Sequence, residues 1–91
     1  MKFFFGTLEI TNGEYTYFSH AVFTAVSMKA AQKEQAKRAK DFYPTNGKAE
    51  VLRADKTVRG YFGHNGEVFT ECAGLREIDK SDFHVLTKYI P

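Results

Sequence analysis

The sequence predicts an α+β fold: an antiparallel sheet of four to five strands, with one main helix packed on one face and a short C-terminal helix. One stretch rich in Ala, Lys, Gln and Arg, all good helix formers, is flanked by segments rich in aromatic and β-branched residues. The pairs Asn12-Gly13 and Asn65-Gly66 are typical of tight hairpin turns. We therefore expect the order ββαβββ followed by a short helix, in one domain of residues 1–91.

The first predicted hairpin pairs residues 2–11 with residues 14–25. Asn12-Gly13 between them is the strongest short hairpin signal, because both residue types tolerate positive φ. Neither face of the second strand is clearly polar, so part of this hairpin is expected either to be covered on both faces or to expose aromatic side chains. Alternation in the first strand places Phe4, Leu8 and Ile10 on one face and Phe3, Phe5, Thr7 and Glu9 on the other.

The main helix is predicted over residues 28–42, with Ser27 as the N-cap whose hydroxyl accepts a hydrogen bond from the first turn. Small alanines on one side would let this helix lie close to the sheet. The residues that end the helix and turn the chain are Pro44, Asn46 and Gly47. The residues expected to face the sheet are Met28, Ala31, Ala39 and Phe42, with Ala36 beside them.

Three short strands are predicted after the helix, over residues 49–54, 57–63 and 67–73. Their turns are expected at Asp55-Lys56 and His64-Asn65-Gly66. Gly74 marks a bulge or a bend, after which residues 75–78 continue at a sheet edge. The last helix is expected to begin at Asp79 or Ser81 as its cap, and its apolar positions are Phe83, Leu86 and Ile90.

The charges of the chain are unevenly spread. The formal net charge is +2, yet residues 29–59 hold nine of the thirteen basic residues and only four acids, a local balance of +5. Lysines at helical spacing share one face of the predicted helix. This pattern favours an anionic partner, either an acidic protein surface or nucleic-acid phosphates, and the alternative is an ordinary solvated helix face. The residues concerned are Lys29, Lys33, Lys37 and Lys40, with Arg38 beside them.

Neighbouring charges modify this interpretation. Glu34 can pair with Arg38, and Lys37 with Asp41, which would offset part of the repulsion among the lysines. Three cations of the next predicted hairpin strengthen the hypothesis of an anionic partner only if they lie on the same side as the lysines; they are Arg53, Lys56 and Arg59.

A cluster of aromatic residues could offer stacking platforms for unpaired bases, as in RNA-recognition modules. The glycine-aromatic signature of that fold is missing, although residues 59–63 resemble a fragment of it, and its βαββαβ order is absent. The alternatives are core positions, which are commoner for aromatics in a small domain, and exposed tyrosines at an interface. The cluster consists of Tyr15, Tyr17, Phe18, Tyr61 and Phe62.

Residues that carry catalytic or metal chemistry show no recognisable spacing. His20, His64 and His84 are far apart, and Cys72 has no second cysteine, so neither a metal site nor a disulfide is expected. A pair of Cys72 with His20 would form only if the strands align, and a small buried thiol is the simpler interpretation. No glycine loop of a nucleotide-binding type occurs. We expect no catalytic site and no cofactor.

The compartment is expected to be the cytoplasm. A single cysteine favours a reducing environment. The apolar run at the start is interrupted by Gly6, Thr7 and Glu9, so it is not expected to be a signal peptide. No apolar run approaches the roughly 18 residues of a membrane span, so no membrane partner is expected.

Residues 22–69 read as strand, Ser-capped Ala/Lys helix, strand, turn and strand. In length and character this stretch resembles the small single-helix, antiparallel-sheet accessory proteins of phages and mobile elements, some anti-CRISPR proteins among them. The segments that match in style are Ser27-Met28-Lys29-Ala30-Ala31 and Asn65-Gly66-Glu67-Val68. The resemblance implies a protein that works, in a host cytoplasm, by occluding a surface of a larger nucleoprotein machine.

Three functional hypotheses follow. The first is a small non-enzymatic inhibitor or adaptor that docks on a protein or nucleoprotein complex with an acidic surface, and the alternative is a nucleic-acid-binding module. The third and weakest is a small enzyme or ligand-binder using His20 and Cys72. The oligomeric state stays open, since an exposed strand edge would permit a dimer. The predicted binding residues are Lys29, Lys33, Lys37, Arg38, Lys40, Arg53, Lys56, Arg59, Tyr15 and Tyr17.

Overall fold

The computed structural model describes residues 1–42, 49–63 and 66–90. Its five strands form one antiparallel sheet in the order β2-β1-β5-β4-β3. The α+β class, the ββαβββ order and the short C-terminal helix are confirmed. The elements are β1 (Lys2–Asn12), β2 (Tyr15–Ala25), α1 (Met28–Asp41), β3 (Ala49–Leu52), β4 (Val58–Gly63), β5 (Val68–Ile78) and α2 (Lys80–Leu86).

The first hairpin turns one residue later than the Asn12-Gly13 signal predicted. Asn12 is the last residue of β1 and pairs with Tyr15, which leaves Gly13 and Glu14 as a two-residue loop. Gly13 has a φ of 61°, and Glu14 does not share this positive φ. A positive φ at the first central residue alone is the pattern of a type II′ turn, which requires glycine at that position.

Helix α1 begins as predicted, because the Ser27 hydroxyl accepts a hydrogen bond of 3.1 Å from the Ala30 amide. Its sheet-facing side differs from the prediction at two positions. Met28 is 40% exposed, whereas Gln35, a polar residue, is only 5% exposed at the centre of the buried face. The segment with Pro44, Asn46 and Gly47, predicted to end the helix, lies outside the described residues.

Gln35 can be buried because its side-chain amide donates hydrogen bonds to two backbone carbonyls at a β-bulge. Thr7 pairs with Gly74 and Leu8 with Cys72, so Ala73 is an extra residue in β5. The Gln35 side-chain amide donates to the carbonyls of Thr7 at 3.2 Å and of Gly74 at 2.6 Å. The bulge predicted at Gly74 is therefore present, and α1 is fastened to it.

The hydrophobic core lies between α1 and one face of the sheet. Alternation in β1 is confirmed, since Phe4, Leu8 and Ile10 point to this face and are buried. Two clusters divide the core along the helix, one packed against Ala31 and the other against Ala39. The strand residues of the first cluster are Phe4, Phe23 and Ala25, and those of the second are Leu8, Ile10, Tyr61, Val68 and Cys72.

The later strands complete the sheet, and α2 packs on the face opposite α1. β5 continues through Gly74 as one strand, but its pairs with β4 end at Glu71, so within the described residues 75–78 pair only with β1. Asp79 is the N-cap position of α2, without a side-chain cap hydrogen bond. The Phe83 ring lies 4.8 Å from the Phe3 ring, on the sheet face opposite α1. The predicted turn residues His64 and Asn65 lie outside the described residues.

Candidate binding surface

Four lysines form the outermost side of α1. All four are exposed, and at about 100° per residue they fall within an arc of about 80°. That arc lies opposite the buried residues Ala31, Gln35 and Ala39. We call this surface the lysine face; it consists of Lys29, Lys33, Lys37 and Lys40.

The lysine face has no anionic partner within the part of the chain that the structure describes. The ion pairs there are Lys2–Glu77, Arg38–Glu34 and Arg59–Glu71. The predicted Glu34–Arg38 pair is thus present at 3.7 Å, whereas the predicted pair of Lys37 with Asp41 is not formed. The ammonium groups therefore present uncompensated charge to solvent, which raises the attraction for an anion.

A groove beside the lysine face adds one more lysine. The turn between β3 and β4 holds Lys56 at a φ of 68°, and this turn lies next to the first half of α1. The groove between them has a volume of about 360 Å³. We call it the basic groove; it is lined by Lys29, Gln32, Lys33 and Ala36 of α1 and by Asp55, Lys56, Thr57 and Val58 of the turn.

Asp55 is the acidic residue of the basic groove. Its carboxylate accepts hydrogen bonds from the Thr57 hydroxyl at 2.6 Å and the Thr57 amide at 3.0 Å. These bonds, the hydroxyl first, lower the pKa of Asp55, so the carboxylate is charged at neutral pH and is engaged in shaping the turn. The groove therefore carries three lysines and one carboxylate.

The two arginines predicted to join the lysines do not do so. Arg53 donates to the carbonyls of Val58 and Cys72, each at 2.6 Å, and so bridges β4 and β5 where their pairing stops. Arg59 lies on the opposite sheet face, 5.5 Å above the Phe69 ring, with its Nε 3.4 Å from Glu71. An irregularity in the register of β3 and β4 accounts for the position of Arg59. Val51 pairs with Gly60 and Leu52 with Val58, so Arg59 is an extra residue and does not share the face of Tyr61.

Arg38 lies at the side of α1 rather than on the lysine face. Its guanidinium sits 5.0 Å from the centre of the Phe23 ring and is paired with Glu34. Together these residues line a second pocket, between α1 and β2, of about 320 Å³. Arg38 therefore packs over the end of the core, where its positive charge is attracted to the face of the Phe23 ring.

The predicted aromatic cluster is divided between the two faces of the sheet. Tyr61 is buried beneath α1, and its hydroxyl donates to Glu50 at 3.1 Å. Burial, with that hydrogen bond, raises the pKa of Tyr61 to about 12. Tyr15 (77% exposed) and Tyr17 lie at the turn end of β2, outside the basic groove. Tyr61 therefore takes the alternative, core position and cannot join Tyr15 and Tyr17 in a platform for unpaired bases, because a buried ring cannot receive a base.

The sheet face opposite α1 carries Phe18 and Phe62 of the predicted aromatic cluster together with other aromatic rings. Phe5 and His20 stack at 5.4 Å, and Phe62 and Phe69 are 4.4 Å apart. Phe18, 58% exposed, belongs to the same face. Of the two alternatives expected for the first hairpin, exposed aromatic side chains are found here. Alternation in β1 and β2 is the signal that would have placed Phe5, Phe18 and His20 on one face.

His20 and Cys72 do not meet. His20 pairs with Thr7, whose hydroxyl lies 3.0 Å from its Nδ1, on the face away from α1. Cys72 pairs with Leu8 and is buried beneath α1, where burial raises the pKa of its thiol. A nucleophilic Cys72–His20 pair is thereby excluded, since the sheet separates the two side chains.

Within residues 1–42, 49–63 and 66–90, no three His, Cys, Asp or Glu side chains gather into a metal-binding group. No helix of the described chain is both long and apolar enough to cross a membrane. No protein-family model, curated protein or solved structure matches this chain.

Proposed function

We propose that this protein is a non-enzymatic inhibitor or adaptor that docks through the lysine face and Lys56 on an acidic surface of a larger protein or nucleoprotein complex. The single observation that supports the proposal is a cluster of five exposed lysines without an ion pair among the described residues. Four lie on the side of α1 that the core does not use, and Lys56 lies in the turn beside it. The resemblance to phage-encoded accessory proteins favours an inhibitor.

The arrangement of charge favours a protein surface over a nucleic-acid groove as the partner. Lysine binds carboxylates and phosphates alike as a point charge, whereas the bidentate recognition common in nucleic-acid interfaces is the preference of arginine. The arginines nearest to the lysine face are engaged elsewhere, Arg38 with Glu34 and Arg53 with two backbone carbonyls. The net charge of +2 is also modest for a module whose affinity comes from phosphates.

The test is a comparison of two double charge reversals. K33E/K37E alters the lysine face, and K80E/K88E makes the same change in net charge at exposed positions in and after α2. Binding of a labelled polyglutamate peptide and of labelled duplex DNA is measured by fluorescence anisotropy as salt is raised. We expect salt-sensitive binding of the peptide that K33E/K37E abolishes and K80E/K88E retains.

Each other outcome contradicts the proposal in a different way. Tighter binding of the DNA, lost in K33E/K37E, would support the nucleic-acid-binding alternative. Equal losses of peptide binding in both variants would mean that binding depends on net charge alone and not on the lysine face. Absence of binding to either probe at low salt would refute a docking role for the lysine face.

A further inference from the structure

The outer strand β2 is an edge of the sheet, and among residues 1–42, 49–63 and 66–90 no other strand pairs with its outer side. It spans eleven residues, Tyr15–Ala25, and its register with β1 is continuous, without a bulge. It contains no proline and no Asp, Glu, Lys or Arg. Natural edge strands are usually short, bulged or charged, because an open ladder pairs with other chains. The strand at the other side of the sheet, β3, has four residues and contains Glu50.

The hairpin turn fixes which backbone groups of β2 are free. The two-residue loop is closed by the pair Asn12 and Tyr15, which in such a hairpin is a hydrogen-bonded pair. Hydrogen-bonded pairs then recur at every second residue, so the odd-numbered residues of β2 bond to β1. The even-numbered residues point their amides and carbonyls outward; they are Thr16, Phe18, His20, Val22 and Thr24.

We propose that β2 pairs with β2 of a second copy of this chain, antiparallel, about a twofold axis at His20. This register pairs all eleven residues and joins the outward groups of both copies in about ten hydrogen bonds. Any shift of the register leaves outward groups of both strands unpaired. The result is a continuous ten-stranded sheet with the α1 helices of both copies on the same face.

The side chains of β2 are complementary to themselves in this register. Thr16 comes opposite Thr24 and Phe18 opposite Val22, which are favourable cross-strand combinations. On the α1 side Tyr17 comes opposite Phe23, an aromatic pair. No Asp, Glu, Lys or Arg faces a like charge, because the strand has none, and at the axis His20 comes opposite His20 of the second copy. A second copy is favoured over a foreign segment, since every copy carries the matching edge. The dimer does not depend on the proposed function.

Paired charges at positions 16 and 24 test both the edge and the register. Both threonines are exposed, so the fold should tolerate the changes. T16K/T24K places lysine opposite lysine in both symmetry-related pairs, whereas T16K/T24E places lysine opposite glutamate. We expect light scattering to give twice the 10.4 kDa of the chain for the unaltered protein and for T16K/T24E. In T16K/T24K the dissociation constant of the dimer should rise about tenfold.

Amide hydrogen exchange gives an independent readout. The outward amides of residues 16, 18, 20, 22 and 24 should become protected as protein concentration rises, while those of the odd residues stay protected throughout. A monomer at every concentration, or a dimer in which these amides exchange freely, would overturn the proposal. Equal weakening of T16K/T24K and T16K/T24E would overturn the register. Protection of these amides only when a foreign peptide is added would assign the edge to another occupant.

Discussion

The two sides of α1 differ in almost every physical respect. On the inner side Ala31 and Ala39 are almost completely buried against strand side chains, and Gln35 between them has its amide bonded to two carbonyls. On the outer side the lysine face is exposed and, among the described residues, has no ion pair. One helix thus separates the residues that stabilise the fold from those proposed to bind a partner, and mutation should separate the two roles.

The largest effect is expected when the charge of the outer side is moved inward. Ala39 is 1% exposed between Leu8, Ile10 and Tyr61, and Ala39→Lys would bury an unpaired ammonium there. We expect a loss of at least about 3 kcal/mol in the free energy of unfolding. The measurement is urea denaturation followed by circular dichroism. The swap A39K/K40A, which conserves net charge, should lose as much; a stable swap would contradict the division of α1.

A smaller loss is expected when the polar contact of the inner side is removed. Gln35→Ala leaves the carbonyls of Thr7 and Gly74 without the amide that bonds them. We expect the free energy of unfolding to fall by about 1–3 kcal/mol, the cost of unsatisfied buried groups. The matched control is Gln32→Ala, an exposed glutamine of the same helix. If both variants unfold at the same urea concentration, Gln35 does not fasten α1 to the bulge.

The smallest effect on stability is expected on the outer side itself. Lys33→Gln and Lys37→Gln remove charges from a stripe of like charges, so the free energy of unfolding should change by less than about 0.5 kcal/mol and should tend to rise. Thermal unfolding at low and high salt measures this, since the gain should vanish as salt screens the repulsion. A marked loss of stability would mean that the lysine face has a structural role.

Much of the fold could be predicted because it depends on neighbours in the sequence. Ser27 caps α1 since a hydroxyl before a helix-forming stretch satisfies its first amides, and Gly74 accompanies a bulge in β5. The lysine face followed from helical spacing alone. Gln35 was missed, because nothing in its surroundings along the chain shows that a bulge 39 residues away offers it a carbonyl.

The sequence by itself determined the elements, the alternation within β1 and the outward position of the lysines, since all three arise from periodicity and local hydrogen bonding. Only the tertiary structure decided which faces meet. Strand order and register placed Lys56 beside α1, turned Arg53 towards the backbone of β5 and put Arg59 on the opposite side of the sheet. They also left β2 as an outer edge. Pairing between distant strands depends on contacts that no local pattern records, and it therefore decides which of the predicted residues can act together.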